Sequence, residues 1–158
     1  MNRYSPVLLV IGLTAGPVAG PGALADAVSG PAVTILAPED VRYVEDARVS
    51  GVGVAVVSGD PRSGFYTLRV RFAPGVKVPA HLHPDDRTVT VLSGTYHFGV
   101  GDRFDADGLA AHGPGTVIVV PKGIAHYAAA GDEEVVLQEA GGGPTANTMV
   151  EPSDAPLH

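Results

Sequence analysis

The sequence contains no cysteine and no tryptophan, and aromatic residues make up only 6% of it. Without cysteine the chain cannot form a disulfide, and every metal or redox site that depends on thiolates is excluded. Any metal ion must therefore be held by histidine, aspartate, glutamate or glutamine. Of all the compositional features, the absence of cysteine excludes the largest number of metal and redox sites.

Positive charge is also scarce, with 10 Lys and Arg against 17 Asp and Glu and a formal net charge of −7. A surface with this balance repels both the phosphates of nucleic acids and anionic membrane surfaces. We therefore predict no nucleic-acid partner and no membrane partner.

A long apolar stretch occurs only near the start of the chain. Arg3 is followed by the apolar run 5–20 and by "ALA" at residues 23–25, a pattern that predicts a signal peptide over 1–25, cleaved before Asp26. A membrane anchor is the alternative, but glycine and proline interrupt a run that falls short of the ~20 residues of a spanning helix. The expected location of the mature chain is the periplasm or the extracellular space.

Helical periodicity is missing from the remainder, where short alternating runs take its place. In "FYTLRVRF" at residues 65–72, alternate residues are apolar, as in a strand with one buried face. Comparable runs predict strands at 33–36, 41–44, 52–57, 76–83, 88–92, 95–100, 116–120, 124–129 and 134–139. Many short strands separated by Gly and Pro turns are typical of an all-β sandwich or barrel. The segment after Gly141 is predicted to be loop-like and only partly packed.

Three histidines lie in two of these predicted strands. His81 and His83 are two residues apart, so their side chains share one face of the strand, and His126 follows a Pro-x-Gly turn. Such imidazoles can reach one cation at about 2.0–2.2 Å. An H-x-H pattern alone is also typical of solvated histidines, so both interpretations stay open at this point.

The glycines and prolines around these histidines carry a family resemblance. Residues 75–94 read G-x5-H-x-H-x3-R-x6-G, and residues 115–130 read G-x5-P-x-G-x2-H-x3-A. The two segments resemble the signature motifs of the cupin superfamily, G-x5-H-x-H-x3-4-E-x6-G and G-x5-P-x-G-x2-H-x3-N. The resemblance covers roughly residues 50–150, and the spacer between the motifs is similar to that of small bacterial cupins.

The resemblance implies an all-β jelly-roll β-barrel, also called a double-stranded β-helix. It implies a single cupin domain over residues 26–158, with its core at about 50–140. By position, His81, His83 and His126 match three ligands of one divalent metal ion. Imidazoles without thiolates suit Fe, Mn, Ni, Cu or Zn. Cupins often pair through an edge strand, so a homodimer is a family-based expectation.

The match breaks at the motif glutamate, because Arg87 or Thr88 occupies that position and Ala130 replaces the asparagine of the second motif. An arginine cannot ligate a metal. Three outcomes follow from the residues: a three-histidine metal site, to which Asp86 could add an oxygen; an anion-binding Arg87 beside the metal; or a binding pocket without metal.

These features predict an exported metal-binding cupin with a small-molecule ligand, which the arginine suggests is anionic. If it is an enzyme, it is oxygenase- or isomerase-like and acts on a small organic acid. Arg87 would then orient the substrate, while Tyr96, His97 or Tyr127 would transfer protons. The alternative is a non-catalytic cupin that binds or senses a small molecule or a metal, with Arg87 as an anion hook.

Overall fold

The computed structural model describes residues 33–150, and nearly all regular structure in this range is β-strand. The sole helical element in the described range is a 3-10 turn at Pro38–Asp40. No helix in this part of the chain is long and apolar enough to cross a membrane. The predicted signal peptide at 1–25 lies outside the described residues, so export stays a prediction.

Two antiparallel sheets face each other. The strands, in chain order, are β1 (Val44–Glu45), β2 (Val52–Gly59), β3 (Phe65–Phe72), β4 (Lys77–Leu82), β5 (Arg87–Ser93), β6 (Tyr96–Val100), β7 (Ala110–His112), β8 (Val117–Val120), β9 (His126–Ala130), β10 (Val135–Gly142) and β11 (Thr148–Met149). The first sheet has the order β1-β2-β3-β10-β5-β8, and the second has the order β11-β4-β9-β6-β7. Several strands that lie side by side, such as β3 and β10 or β4 and β9, are far apart in the sequence, and these crossovers are typical of a jelly-roll.

The core lies between the sheets and follows from side-chain alternation. In β3 the apolar residues of "FYTLRVRF" from Tyr66 to Phe72 point inward, while Thr67, Arg69 and Arg71 point outward, as predicted. Leu137 of β10 and Val91 of β5 are almost completely buried in the same layer. Complete burial of one such side chain stabilises the fold by about 1.5–3 kcal/mol.

The predicted all-β jelly-roll is confirmed, but the expectation of a closed barrel is wrong. Among the described strands, the first sheet ends at β1 and β8 and the second at β11 and β7, and no backbone ladder joins the two sheets. The edge strands have between two and four residues.

The predicted strands near both ends need correction. Residues 33–36 form no strand, and the side chains of Val33 and Ile35 are exposed because no neighbouring strand pairs with them. The predicted strand 41–44 shrinks to the beginning of β1. The short strand β7 has no counterpart in the sequence prediction.

Residues 142–150, the described part of the segment after Gly141, are only partly packed, as predicted, although they include the short strand β11. The backbone N–H groups of Gly143 and Thr145 donate to the carbonyls of Gly64 and Pro61, beside the first sheet. Further on, β11 pairs with β4 of the second sheet. We call residues 143–150 the C-terminal strap, because this segment connects the two sheets at one end of the sandwich.

Candidate metal centre

A β-bulge in β4 directs two histidines into the sandwich. The register between β4 and β9 runs from Val78 opposite Ala128 to His81 opposite His126, so β4 contains one extra residue. Pro79 lies within this bulge, where its missing N–H costs no ladder hydrogen bond. Because the bulge shifts the alternation by one residue, His81 and His83 enter the interior.

His126 completes the cluster from the beginning of β9, directly opposite His81. The three imidazoles are buried, and the centroids of their rings lie 4.4–5.0 Å apart. One nitrogen from each ring lies within 4.8 Å of the others. Small side-chain adjustments from this spacing bring three nitrogens onto one ion at metal–nitrogen distances of about 2.0–2.1 Å.

Backbone carbonyls fix the tautomer of each imidazole. The Nδ1 atoms of His81 and His126 lie 2.9 Å from the carbonyl oxygens two residues earlier, those of Pro79 and Ile124. The Nδ1 atom of His83 lies 2.9 Å from the carbonyl oxygen of Ala146 in the C-terminal strap. A carbonyl can only accept a hydrogen bond, so Nδ1 carries the proton and Nε2 keeps a free lone pair. The donor set therefore fits a metal ion.

The same surroundings keep the imidazoles uncharged. Burial lowers the pKa of His81 to about 4, with a further contribution from His126. Burial and then the positive charge of Arg87 lower the pKa of His83 to about 3, and burial also lowers the pKa of His126. Neutral imidazoles are the form that binds metals, so the centre needs no deprotonation step near neutral pH.

The metal-free protein is expected to lose stability as the pH falls from 6.5 to about 4. In that interval the unfolded histidines, with an ordinary pKa of 6.5, bind more protons than the folded ones. For His81 alone the loss is about 2–3 kcal/mol. Glu139, whose pKa is raised by burial, acts in the opposite direction but is a single group. Urea unfolding in the presence of a chelator measures the effect, and equal unfolding free energies at pH 7 and pH 4.5 would refute it.

Arg87 occupies the position of the motif glutamate and is held in a buried ion-pair network. Its side chain is only 3% exposed. Its Nη1 donates to Oε2 of Glu139 at 2.9 Å, and its Nη2 donates to Oδ1 of Asp85 at 2.9 Å and to the hydroxyl of Thr145. Its buried Nε has no partner among the described residues. These contacts give no support to an anion hook formed by the terminal nitrogens, because protein oxygens already accept from both.

Tyr66 of β3 extends the network along the first sheet by donating its hydroxyl to Oδ2 of Asp85. Burial and this hydrogen bond raise the pKa of Tyr66 to about 12. For Asp85, burial opposes ionisation, but hydrogen bonds from Tyr66 and Thr145 and the charge of Arg87 outweigh it and lower its pKa. The ionised form of Asp85 therefore depends on these hydrogen bonds and on the charge of Arg87.

Gly141 makes room for the contact between Tyr66 and Asp85. A Cβ atom at this position would lie 2.6 Å from the tyrosine oxygen and 2.8 Å from Oδ2 of Asp85. We expect Gly141→Ala to lower the free energy of unfolding by about 1–3 kcal/mol, as overpacking does. Gly142→Ala is the matched control, because its nearest neighbours are the ring atoms of Phe65 at 3.9–4.0 Å. Equal urea midpoints for the two variants would contradict this account.

The other predicted site residues are divided between the two faces of the second sheet. Tyr96 is buried inside, and its neighbour Phe98 lies 5.3 Å from the ring of His126. His97 alternates with these two residues and therefore points to the outer face, so the structure does not place it for proton transfer at the cluster.

Tyr127 also points outward and contacts Phe104, with ring centroids 5.4 Å apart. Asp86, considered as an oxygen ligand, accepts from the backbone N–H of Lys122 instead.

Sequence reasoning missed Glu139 and the C-terminal strap. Glu139 has the same parity in β10 as the buried residues Val135 and Leu137, and this was an available signal that it points inward. The contribution of Ala146 is a backbone carbonyl, which leaves no trace in the sequence.

Comparisons with known proteins agree with this architecture. Residues 68–139 match the Cupin_2 family model, described as a cupin domain. No curated protein matches the sequence significantly. Among solved structures, the polyketide cyclase RemF from Streptomyces resistomycificus is 18% identical, with a TM-score of 0.62 over 78% of this chain and 90% of that chain. A cupin-2 domain from Rhodospirillum rubrum is 18% identical, with a TM-score of 0.60 over 77% and 82%.

KdgF from Halomonas sp. is also 18% identical, with a TM-score of 0.53 over 68% of this chain and 94% of that chain. At these identities the likeness is one of fold. The match to the family model, both motif segments and the jelly-roll architecture lead to one conclusion. The chain contains a cupin domain, matched over residues 68–139.

Proposed function

We propose that this cupin binds one divalent metal ion through His81, His83 and His126 and uses it to bind a small molecule. The observation that carries this proposal is the convergence of three buried imidazoles, each with its Nδ1 proton bonded to a carbonyl and its Nε2 free. Fe, Mn, Ni, Cu and Zn all accept imidazole ligands. Three protein ligands leave further coordination positions open, as catalytic sites require.

The function that this geometry supports best is enzymatic, with oxygenase- or isomerase-like chemistry on a small organic acid. A bound metal would supply Lewis acidity, or redox chemistry if the ion is redox-active. The chain itself contributes a buried interior that excludes water and the inward-facing side chain of Tyr96, which we propose as the proton-transfer group. RemF, with a similar fold, is by its name a polyketide cyclase, and this supports an enzyme without identifying a reaction.

The charges around the site support metal binding despite the missing motif glutamate. The carboxylates of Asp85 and Glu139 surround the single positive charge of Arg87. With both ionised, the three groups together bring a net charge of −1, which is the charge that the motif glutamate would bring. The two carboxylates thus offset the positive charge of Arg87, which adds to burial in lowering the pKa of His83 and His126 and would otherwise oppose a cation at the cluster.

The second candidate is a non-catalytic cupin that binds or senses a small molecule or a metal. The unpartnered Nε of Arg87 favours it, because this buried donor requires an acceptor from a ligand or from water. In this version an anionic ligand would accept from Nε alone. We also propose export after removal of residues 1–25 and a homodimer, on the sequence pattern and the family resemblance described above.

Metal analysis of the protein, purified without an affinity tag and reconstituted with each candidate metal, tests the proposal. We expect one metal ion per chain in the natural sequence and none in the His81→Ala/His126→Ala variant. His97→Ala is the matched control and should keep the metal, because His97 points away from the cluster. A natural protein that stays metal-free after reconstitution would overturn the metal centre and the enzymatic function together.

A further inference from the structure

β8 is an edge strand of the first sheet, and one of its two sides is free. It pairs with β5, and no other described strand is hydrogen-bonded to it. Val91 of β5 bonds to the backbone of residues 115 and 116 through both its N–H and its C=O. Because hydrogen bonds alternate along an antiparallel ladder, Val89 also directs its backbone groups to β8, where it lies opposite Ile118.

The two neighbours of Ile118 direct their backbone groups the other way. The N–H and C=O groups of Val117 and Val119 therefore face the free edge of the sheet. Their side chains point to the outer face, opposite Thr90 and Thr88 of β5, and are 58% and 69% exposed. A free edge with exposed apolar side chains is a template for pairing with another strand.

β8 also lacks the charges that often protect a free edge. Between Gly115 and Pro121 the chain reads TVIVV, and we call these residues, 116–120, the edge strip. At the opposite edge of the same sheet, β1 ends at Glu45, which Asp46 follows. The edges of the second sheet, β7 and β11, have three and two residues. β8 is therefore the longest edge strand in the described range, and it carries no charge.

The edge strip is complementary to itself in an antiparallel arrangement. A two-fold axis at Ile118 places Val117 of one copy opposite Val119 of the other, and each pair then exchanges its free N–H and C=O groups. On the outer face the valines of both copies form one apolar cluster, because opposite side chains lie about 4.5–5.5 Å apart. Two copies, each with a net charge of −7, meet here through uncharged residues.

The remaining parts of the same chain are less suitable occupants of this edge. Residues 1–32 lead into the end of the chain that contains β1, which is five strand spacings, or about 24 Å, from β8. Residues 151–158 follow β11 in the second sheet, and their sequence EPSDAPLH contains two prolines and two acidic residues. Proline cannot donate to a ladder. A second copy of the chain therefore fits the edge strip best.

We propose that β8 pairs with β8 of a second copy about a two-fold axis at Ile118, which joins two six-stranded sheets into one. This inference rests on the homodimer proposed above and assigns its interface. The contact is short and buries less than the ~1,600 Å² of a standard interface, so we expect a dissociation constant on the order of 10 μM. The metal centre lies inside each sandwich and does not depend on this contact.

Sedimentation of the untagged protein at about 1–500 μM tests the interface. We expect Val119→Lys to weaken dimerisation about tenfold or more, because a charge within the edge strip opposes pairing. Val44→Lys is the matched control, since Val44 is 61% exposed on β1 at the opposite edge, and it should dimerise like the natural protein. If Val119→Lys dimerises equally well, this interface is overturned and the homodimer stands. A natural protein that stays monomeric overturns both, whereas zinc binding is measured separately.

Engineered cysteines test the register, because the natural chain has none. In the proposed pairing Val117 lies opposite Val119 of the other copy, whereas the two copies of Val117 lie diagonally, about 7–8 Å apart. A disulfide needs Cβ atoms about 3.5–4.5 Å apart. With glutathione disulfide as oxidant, an equal mixture of Val117→Cys and Val119→Cys should form cross-linked dimers, and each variant alone should not. Cross-links of equal yield in either variant alone would contradict the two-fold axis at Ile118.

Discussion

Replacing Arg87 by alanine is expected to lower the free energy of unfolding by about 3–5 kcal/mol, the largest stability effect that we predict. The reason is the burial of its partners, because Asp85 and Glu139 would lose the positive charge that compensates them. Urea unfolding at pH 7 measures the effect. Part of it should be recovered in the triple variant Asp85→Asn/Arg87→Met/Glu139→Gln, which removes all three charges together.

The chain offers a matched control for this prediction in Arg62, which pairs with Asp60 on the surface and has a side chain that is 88% exposed. Exposed ion pairs contribute little to stability, so Arg62→Ala should leave the unfolding midpoint unchanged within error. If Arg87→Ala behaves like Arg62→Ala, the buried network does not stabilise the fold.

Removing the C-terminal strap is expected to weaken zinc binding by about 10- to 100-fold. A chain that ends at Gly142 loses the carbonyl of Ala146, which orients His83, and the hydroxyl of Thr145, which accepts from Arg87. It also loses β11, the strand paired with β4 at His81. Calorimetric titration with Zn²⁺ measures the affinity, and circular dichroism verifies that the shortened chain is folded.

A chain that ends at Val150 is the control, because every contact described for the strap is still present. It should bind zinc like the full chain. Equal affinity in a folded chain that ends at Gly142 would show that the strap does not position the metal ligands.

Alternation and motif spacing predicted the parts of the fold that depend on local sequence. The parity of "FYTLRVRF" correctly separated the buried and exposed faces of β3, because a strand with one buried face has a period of two. The motif spacing predicted that His81, His83 and His126 would meet, and the structure brings them together. These features are set by neighbouring residues or by the turns that flank each strand.

The remaining features depend on tertiary contacts between distant residues. The sequence leaves an anion-binding Arg87 as one of three outcomes, because its partner Glu139 lies 52 positions later and nothing near Arg87 in the sequence indicates the pair. The role of the strap in orienting His83 spans 63 positions and uses a backbone carbonyl. The expected barrel was also wrong. Whether the two sheets pair depends on their edge strands, and strands of two to four residues are too short to show a periodicity in the sequence.

X-ray absorption spectroscopy of the metal-loaded protein measures how many histidines bind the ion. We expect three imidazole ligands at about 2.0–2.1 Å for zinc, no sulfur ligand, and the loss of one imidazole in His126→Ala. A bound metal with fewer than three imidazoles, or a spectrum that His126→Ala leaves unchanged, would contradict the proposal that His81, His83 and His126 share one ion.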